Sequence, residues 1–240
     1  MIYYFGDSNT KGIGNDGSPR PEEWKHIPYS KYLNELSDMP SKNLAQCGQN
    51  FLLNIKELIQ NLQELERRAK IIIFQTQFFC NPLLRFPKKE KDNLQDFTVT
   101  SYLLNKNPHI NAEMEKMFTE SDKQTMTDWA FKFEERRSYY EYLYLIDIFR
   151  YLSGKGIECK ILHWISPFTL KLPKNEFVLP MEGKISGSEK SYDTVLQYLS
   201  EKHQNFLIKD VTNGEWNDLH TANSFNKLIA EIIYEQLFGK

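Results

Sequence analysis

The strongest constraint on the fold is an alternation of short apolar runs with segments of helical periodicity. Five runs have the length and the β-branched or aromatic content of buried strands: Ile2–Phe5, Asn43–Cys47, Ile71–Phe74, Cys159–Ile165 and Phe206–Val211. Apolar residues recur at helical spacing in Tyr29–Leu36, Phe51–Arg68, Tyr139–Leu152, Tyr192–Leu199 and Phe225–Leu237. This alternation predicts an α/β protein with a five-stranded, mainly parallel, doubly wound sheet and helices on both faces.

The chain is expected to form a single domain over residues 1–240. No internal repeat or low-complexity block divides it, and its length is within reach of one α/β domain. Residues from about 80 to 137 fit the alternation least well, so we interpret them as a helical and loop insertion. A stretch this long between core elements is more often functional than a plain connection.

Composition excludes several classes of protein. Hydrophobic residues make up 40% of the chain and charged residues 26%, which excludes global disorder. The net charge of −2 gives no general attraction to nucleic acid or to an anionic membrane. Three cysteines form neither a disulfide framework nor a zinc-binding pattern. With no membrane span and no signal peptide apparent in the sequence, we expect a cytoplasmic protein.

A candidate nucleophile follows the first predicted strand. In parallel sheets, reactive groups collect at the carboxyl ends of strands, and Gly6-Asp7-Ser8-Asn9-Thr10 occupies such a position. Ser8 would be exposed, held by the backbone and close to a helix N-terminus, which favours developing negative charge. The alternative is a hydrogen-bonded turn residue or a helix cap.

A candidate base stands after the last predicted strand. His220 ends the run Asn217-Asp218-Leu219-His220, directly before the final helix. From there a histidine could reach Ser8 across the strand ends and remove its proton, as in acyl transfer. The alternative interpretation is a surface or capping histidine.

Two further strand ends offer donors for an oxyanion. Gly48 can point its N–H into the same cleft, and Gln77 can add a side-chain amide. Together with the N–H of Ser8 they would form an oxyanion hole. The alternative for Gly48 is a turn glycine before a helix, and the alternative for Gln77 is a polar residue at a strand end whose hydrogen bonds are satisfied.

These blocks together resemble those of the SGNH (GDSL-type) hydrolases. Gly6-Asp7-Ser8-Asn9 is similar to the first block of that family, Asn43-x-Ala45-x-x-Gly48 to the second, and His220 with the helix after it to the last. The resemblance implies a flavodoxin-like three-layer fold and ester hydrolysis through a Ser–His centre. It also implies that neither a metal nor another cofactor is needed.

The chain departs from the family pattern in three places. Gln75-Thr76-Gln77-Phe78 replaces the usual Gly-x-Asn-Asp of the third block, and Phe225-Asn226 replaces a glycine-histidine pair in the last helix. The acid normally lies three residues before the histidine, where this chain has Asn217. Asp218 lies two residues before it, so either of these side chains could orient the His220 ring.

Other hypotheses remain beside the hydrolase. The altered blocks suit a non-catalytic binding or assembly module on the same scaffold, and an alcohol in place of water would make the centre an acyltransferase. Gly12–Gly17 matches a dinucleotide fingerprint, but Pro19 and Pro21 prevent the helix that such a site needs. The substrate expected is a small-molecule, glycan or lipid ester, and the oligomeric state is left open.

Two groups of side chains are interpreted as structural. His163 lies within a predicted strand and is expected to be a hydrogen-bonded core histidine. The tyrosines near position 140 are expected mainly to pack a helix, although some rings could line an acyl or sugar pocket. These tyrosines are Tyr139, Tyr140, Tyr142 and Tyr144.

Overall fold

The protein is an α/β structure built on a four-stranded parallel sheet. The computed structural model describes residues 1–12, 27–46, 51–76, 83–87, 94–98, 119–164, 175–182, 191–192, 194–203, 221 and 223–239. The strands of the sheet are β1 (Ile2–Phe5), β2 (Ser41–Asn43), β3 (Ile71–Thr76) and β6 (Glu158–His163). Their order is β2-β1-β3-β6, and each neighbouring pair runs parallel.

Burial separates the central strands from the edge strand β2. Every residue of β1 and β3 is buried, as expected for parallel strands covered on both faces. β2 is polar and partly exposed, which suits a strand at an edge of the sheet. Near the carboxyl ends, Tyr4 pairs with Asn43 on one side and with Ile73 on the other, so the exits of these three strands lie side by side.

One face of the sheet is covered by three helices. These are α2 (Tyr29–Ser37), α6 (Val195–Lys202) and α7 (Asn223–Phe238). Their apolar residues pack with Ile2, Tyr4 and Ile73 of the strands. Trp164, which follows β6, is fully buried in this layer and stacks on Tyr29 with ring centroids 6.0 Å apart.

The opposite face is covered by helices from the middle of the chain. They are α3 (Phe51–Gln60), α4 (Leu62–Arg68) and α5 (Glu120–Ser153). Phe5 and Phe74 stack on this face, and Phe51 and Phe149 meet Phe74 edge-on. These aromatic contacts fix where β1 and β3 end relative to the helices.

The remaining described elements are short. Helix α1 (Ser8–Lys11) follows β1, and two antiparallel pairs join β4 (Leu83–Pro87) to β5 (Leu94–Thr98) and β7 (Met181–Glu182) to β8 (Ser191–Tyr192). None of the helices in the described part of the chain combines the length and the apolar character that crossing a bilayer requires.

Several predicted boundaries need correction. The second strand is Ser41–Asn43 and not Asn43–Cys47, because these three residues take up the pairing with β1. The helix predicted over Phe51–Arg68 is two helices, broken at Asn61, whose side-chain amide donates to the Glu57 carbonyl. The helix predicted from Tyr192 begins at Val195, after the cap Thr194.

Two further differences concern the middle and the end of the chain. Helix α5 begins at Glu120 and not at Tyr139, with a capping box formed by Thr119 and Asp122. The described sheet has four strands where five were predicted, and the fifth prediction, Phe206–Val211, lies outside the described residues.

Candidate active site

Ser8 lies on a turn that is closed by hydrogen bonds between backbone groups of the neighbouring residues. Strand β1 ends at Phe5, and Ser8 is the first residue of α1, partly exposed at the carboxyl edge of the sheet. Asp7 caps this helix: its Oδ1 accepts from the Asn9 N–H at 2.9 Å. The Asp7 carbonyl accepts from the N–H groups of Thr10 at 3.1 Å and Lys11 at 2.9 Å. The backbone around Ser8 is therefore fixed before any substrate arrives.

Gly6 lets this turn pack directly on strand β3. A Cβ atom at position 6 would meet the Thr10 hydroxyl and would come within 3.0 Å of the Gln75 Cβ. Real Cβ atoms essentially never come as close to another atom as this one would come to the Thr10 hydroxyl. Glycine at position 6 therefore lets the exit of β1 lie this close to β3 without displacing Thr10.

Four buried polar side chains form a connected chain behind the turn. Gln75 donates from Nε2 to Asp7 Oδ1 at 3.0 Å, and its Oε1 accepts from the Thr10 hydroxyl. The Thr10 Oγ1 lies 3.1 Å from the Tyr29 hydroxyl oxygen. None of the four is more than 6% exposed. We refer to Tyr29, Thr10, Gln75 and Asp7 as the Gln75 chain.

Strand β2 is tied to the same turn. Asn43 donates from Nδ2 to the Thr10 carbonyl at 2.8 Å and to Ser30 Oγ at 3.2 Å. Ser30 donates to the same carbonyl at 2.7 Å, and the Gln46 N–H donates to the Gly6 carbonyl at 3.2 Å. The exits of β1 and β2 are thus held together by side-chain as well as backbone bonds.

Charge in the Gln75 chain is concentrated at Asp7. Burial raises the pKa of Tyr29, and the nearby Asp7 charge raises it further. Tyr29 therefore stays a neutral hydroxyl that can donate. A buried carboxylate needs such donors, because without them its removal from water costs several kcal/mol.

A second polar cluster lies on the other face of the same strand edge. His163 Nδ1 lies 2.8 Å from Thr76 Oγ1, and His163 Nε2 lies 3.3 Å from the Tyr142 hydroxyl. Asn175 donates to that hydroxyl at 2.9 Å. Burial lowers the pKa of His163 to about 4, so the ring is neutral near pH 7, in line with its interpretation as a core histidine. We refer to His163, Thr76, Tyr142 and Asn175 as the His163 cluster.

Most of the predicted catalytic residues fall outside the described residues. This applies to the base, to both candidate orienting residues and to two oxyanion donors: His220, Asp218, Asn217, Gly48 and Gln77. Ser8 is the predicted catalytic residue that the structure describes, and its position is the one given above.

The residue after His220 is nevertheless anchored. Thr221 is fully buried, and its hydroxyl donates to Asn226 Oδ1 at 2.5 Å. Asn226 in turn donates from Nδ2 to the Ile27 carbonyl at 2.9 Å, and the Ile27 N–H donates to Asn223 Oδ1 at 2.8 Å. Ile27 lies two residues before Tyr29, so Thr221 is linked to the start of the helix that contributes Tyr29 to the Gln75 chain.

Sequence reasoning missed the parts played by Gln75 and Asn226. A polar residue at the end of an apolar strand is a recognisable signal for Gln75, but the donor predicted from the sequence was Gln77, two positions further. Asn226 shares a helix face with buried Ile229 and Ile233, which is an unusual position for an amide.

Neither a protein-family model nor a curated protein matches the chain.

Proposed function

We propose that the protein is a serine hydrolase of the SGNH type that cleaves an ester through Ser8 and His220. One observation carries the proposal. The turn with Ser8 is bonded to Tyr29 and Ser30 of α2 through Thr10, and Thr221 is bonded through Asn226 to Ile27, just before α2. Two segments more than 200 residues apart therefore attach to the same end of one helix, which favours a meeting of Ser8 with His220.

In the proposed reaction, Ser8 Oγ attacks the ester carbonyl carbon while its proton passes to His220. The alcohol leaves with that proton, and an acyl-serine remains. Water then attacks the acyl group with His220 as base, which releases the carboxylic acid and restores Ser8. Asp218, or Asn217 in its place, would hold the His220 ring in the required tautomer.

The proposed oxyanion donors are the N–H groups of Ser8 and Gly48 and the side-chain amide of Gln77. Several observations support a fixed oxyanion hole. The Ser8 backbone is closed by the bonds to the Asp7 carbonyl, and the Gly6 carbonyl is bonded to the Gln46 N–H, two residues before Gly48. Donors placed before the reaction starts stabilise the transition state without reorganising.

We also propose that the four-stranded sheet is part of a larger fold. A flavodoxin-like three-layer sandwich of the SGNH type would add Phe206–Val211 as a fifth strand. The observed strand order, with helices on both faces, supports this arrangement.

A labelling experiment tests the proposal without knowledge of the substrate. A fluorophosphonate should modify Ser8, found by mass spectrometry of the labelled peptide, and Ser8→Ala should lower the labelling rate by at least about 100-fold. His220→Asn should lower it to a similar extent, because the base is lost. Hydrolysis of short p-nitrophenyl esters should follow the same order.

The matched control is Ser153→Ala, which removes an exposed serine at the end of α5 and should leave both rates unchanged. Equal labelling of the wild type and Ser8→Ala would overturn the hydrolase and favour a binding or assembly module on this scaffold. Transfer of the acyl group to an added alcohol in place of water would favour an acyltransferase.

A further inference from the structure

We propose that Gln75 is a positioning residue, the last link of a one-directional hydrogen-bond chain that holds the Asp7 carboxylate and, through it, the turn with Ser8. The inference rests on the proposed function of Ser8. It assigns a part in the reaction to a buried amide that lies 68 positions away from Asp7 in the sequence.

The direction of every bond in the chain follows from its two ends. A carboxylate oxygen can only accept, so the Gln75 group facing Asp7 must be the NH2 and the group facing Thr10 must be the carbonyl. The Thr10 hydroxyl has one hydrogen and gives it to Gln75, so it accepts from the Tyr29 hydroxyl. All the hydrogens of the Gln75 chain therefore point towards Asp7.

Burial makes this direction energetically important. Tyr29 and Thr10 are fully buried, and Gln75 and Asp7 are 1% and 6% exposed. Hydrogen bonds that end on an ion are about twice as strong as those between neutral groups, and successive bonds in one direction reinforce each other. The amide of Gln75 supplies the two groups that this position needs: its NH2 donates to the Asp7 carboxylate, and its carbonyl accepts from the Thr10 hydroxyl.

Asp7 connects the Gln75 chain to the backbone around Ser8. The carboxylate that accepts from Gln75 also accepts from the Asn9 N–H, and the Asp7 carbonyl accepts from Thr10 and Lys11. Ser8 follows Asp7 directly in the chain. If the Gln75 donor is lost, the carboxylate can rotate away from the cap, and a displacement of the nucleophile by about 1 Å costs about 100-fold in rate.

The substitution Gln75→Glu tests the inference with almost no change in shape. It sets a carboxyl oxygen where Nε2 now lies, 3.0 Å from Asp7 Oδ1. Two carboxylates this close share one proton, so the pair has one raised pKa. At acidic pH the shared proton replaces the amide hydrogen, and as pH rises through the raised pKa that proton is lost and the two charges repel.

Titratable groups lie on the described elements that connect to Gln75. The cap and body of α1 contribute Asp7 and the partly exposed Lys11, α2 contributes Tyr29, and β6 presents Leu162 as the paired residue. Tyr29 does not ionise near neutral pH, because its pKa is raised by burial. Dividing the labelling rate of the variant by that of the wild type at each pH removes the common titration of groups present in both proteins, among them the proposed base His220, so the remaining pH dependence reports the carboxyl pair.

The measurement is the fluorophosphonate labelling rate from about pH 5 to about pH 9, expressed as the ratio of variant to wild type. For Gln75→Glu we expect a ratio within about threefold of one at the acidic end and about 100-fold lower at the alkaline end. Gln63→Glu is the matched control, because it makes the same chemical change at an exposed position of α4 and should give a constant ratio.

Each outcome decides the inference. A ratio near one at every pH would overturn it and leave the hydrolase standing. If the variant is unfolded at neutral pH, recovery of the native circular dichroism on acidification supports the shared proton, and no recovery contradicts it. If the wild type is not labelled at all, the proposed function fails. In that case the urea midpoint of Gln75→Glu tests the interaction between positions 75 and 7 without an activity assay. We expect this midpoint to fall relative to that of the wild type as the pH rises.

Discussion

Two consecutive residues of β3 belong to polar clusters of opposite character. Gln75 and Thr76 are each 1% exposed, but they point to opposite faces of the sheet. The Gln75 chain ends on a carboxylate beside a partly exposed serine. The His163 cluster ends on a neutral imidazole and an amide. Burial of polar side chains is common to both, so burial alone does not mark a functional site.

The difference lies in what each cluster is connected to. Removing a neutral partner leaves one unsatisfied group, which costs about 1–3 kcal/mol, whereas removing the partner of a buried charge costs about 3–5 kcal/mol. We therefore expect that removing a partner from the Gln75 chain costs more stability than removing one from the His163 cluster. By the inference above, it also changes the position of Ser8. The His163 cluster joins β3 to β6 and α5, which is a structural task.

The largest expected effect is that of Gln75→Leu. It removes the donor to Asp7 and the acceptor of Thr10, so we expect the free energy of unfolding to fall by about 3 kcal/mol. On the other face, Thr76→Val removes one neutral hydroxyl and should cost only about 1 kcal/mol. Urea unfolding measures both, and Gln63→Leu on the surface should change little. Equal losses for the two β3 variants would remove the contrast between the clusters.

The next effect is a pH dependence that belongs to His163. Burial lowers the pKa of His163 in the folded protein to about 4, below its ordinary value of 6.5, so at intermediate pH the unfolded chain binds a proton that the folded chain does not bind. The contribution of His163 to stability is fully present above pH 6.5, and it is lost as the pH falls towards the lowered pKa. Between about pH 7 and about pH 4.5 the wild type should lose about 2 kcal/mol more than His163→Gln, measured by urea midpoints. Identical losses in the two proteins would show that His163 titrates normally.

The smallest effects come from a matched pair of tyrosines. Tyr29→Phe removes the first donor of the Gln75 chain, and Tyr142→Phe removes the hydroxyl shared by His163 and Asn175. Each should cost about 1 kcal/mol in stability. Only Tyr29→Phe should also slow fluorophosphonate labelling, by a factor of about three to ten. A slowing of the same size in Tyr142→Phe would mean that both clusters act on Ser8.

The fold was predictable where burial is complete. Every residue of β1 and β3 is buried, and both strands contain continuous apolar runs, Ile2–Phe5 and Ile71–Phe74, which are visible in the sequence. The edge strand Ser41–Asn43 carries polar side chains, so nothing in its local sequence distinguishes it from a loop. The break at Asn61 escaped prediction because the apolar spacing continues from Leu58 to Leu62 and Leu65 across it.

The candidate site was predictable only in its local part. Ser8 was found because a serine directly follows a strand and opens a helix, which is a short-range signal. The bonds from Gln75 to Asp7 and from Asn226 to Ile27 span 68 and 199 positions, so no local pattern contains them. They arise from the order of the strands and from the packing of α2 on α7, which only the folded chain sets.

The close approach at Gly6 has a consequence for how the nucleophile is placed. Its missing side chain leaves room for the backbone to rest against the Cβ of Gln75. The exits of the first and third strands therefore lie in close contact, with no room for a side chain at position 6. The position of Ser8 therefore depends on the absence of a side chain at Gly6, two residues before it, as much as on the groups that contact Ser8.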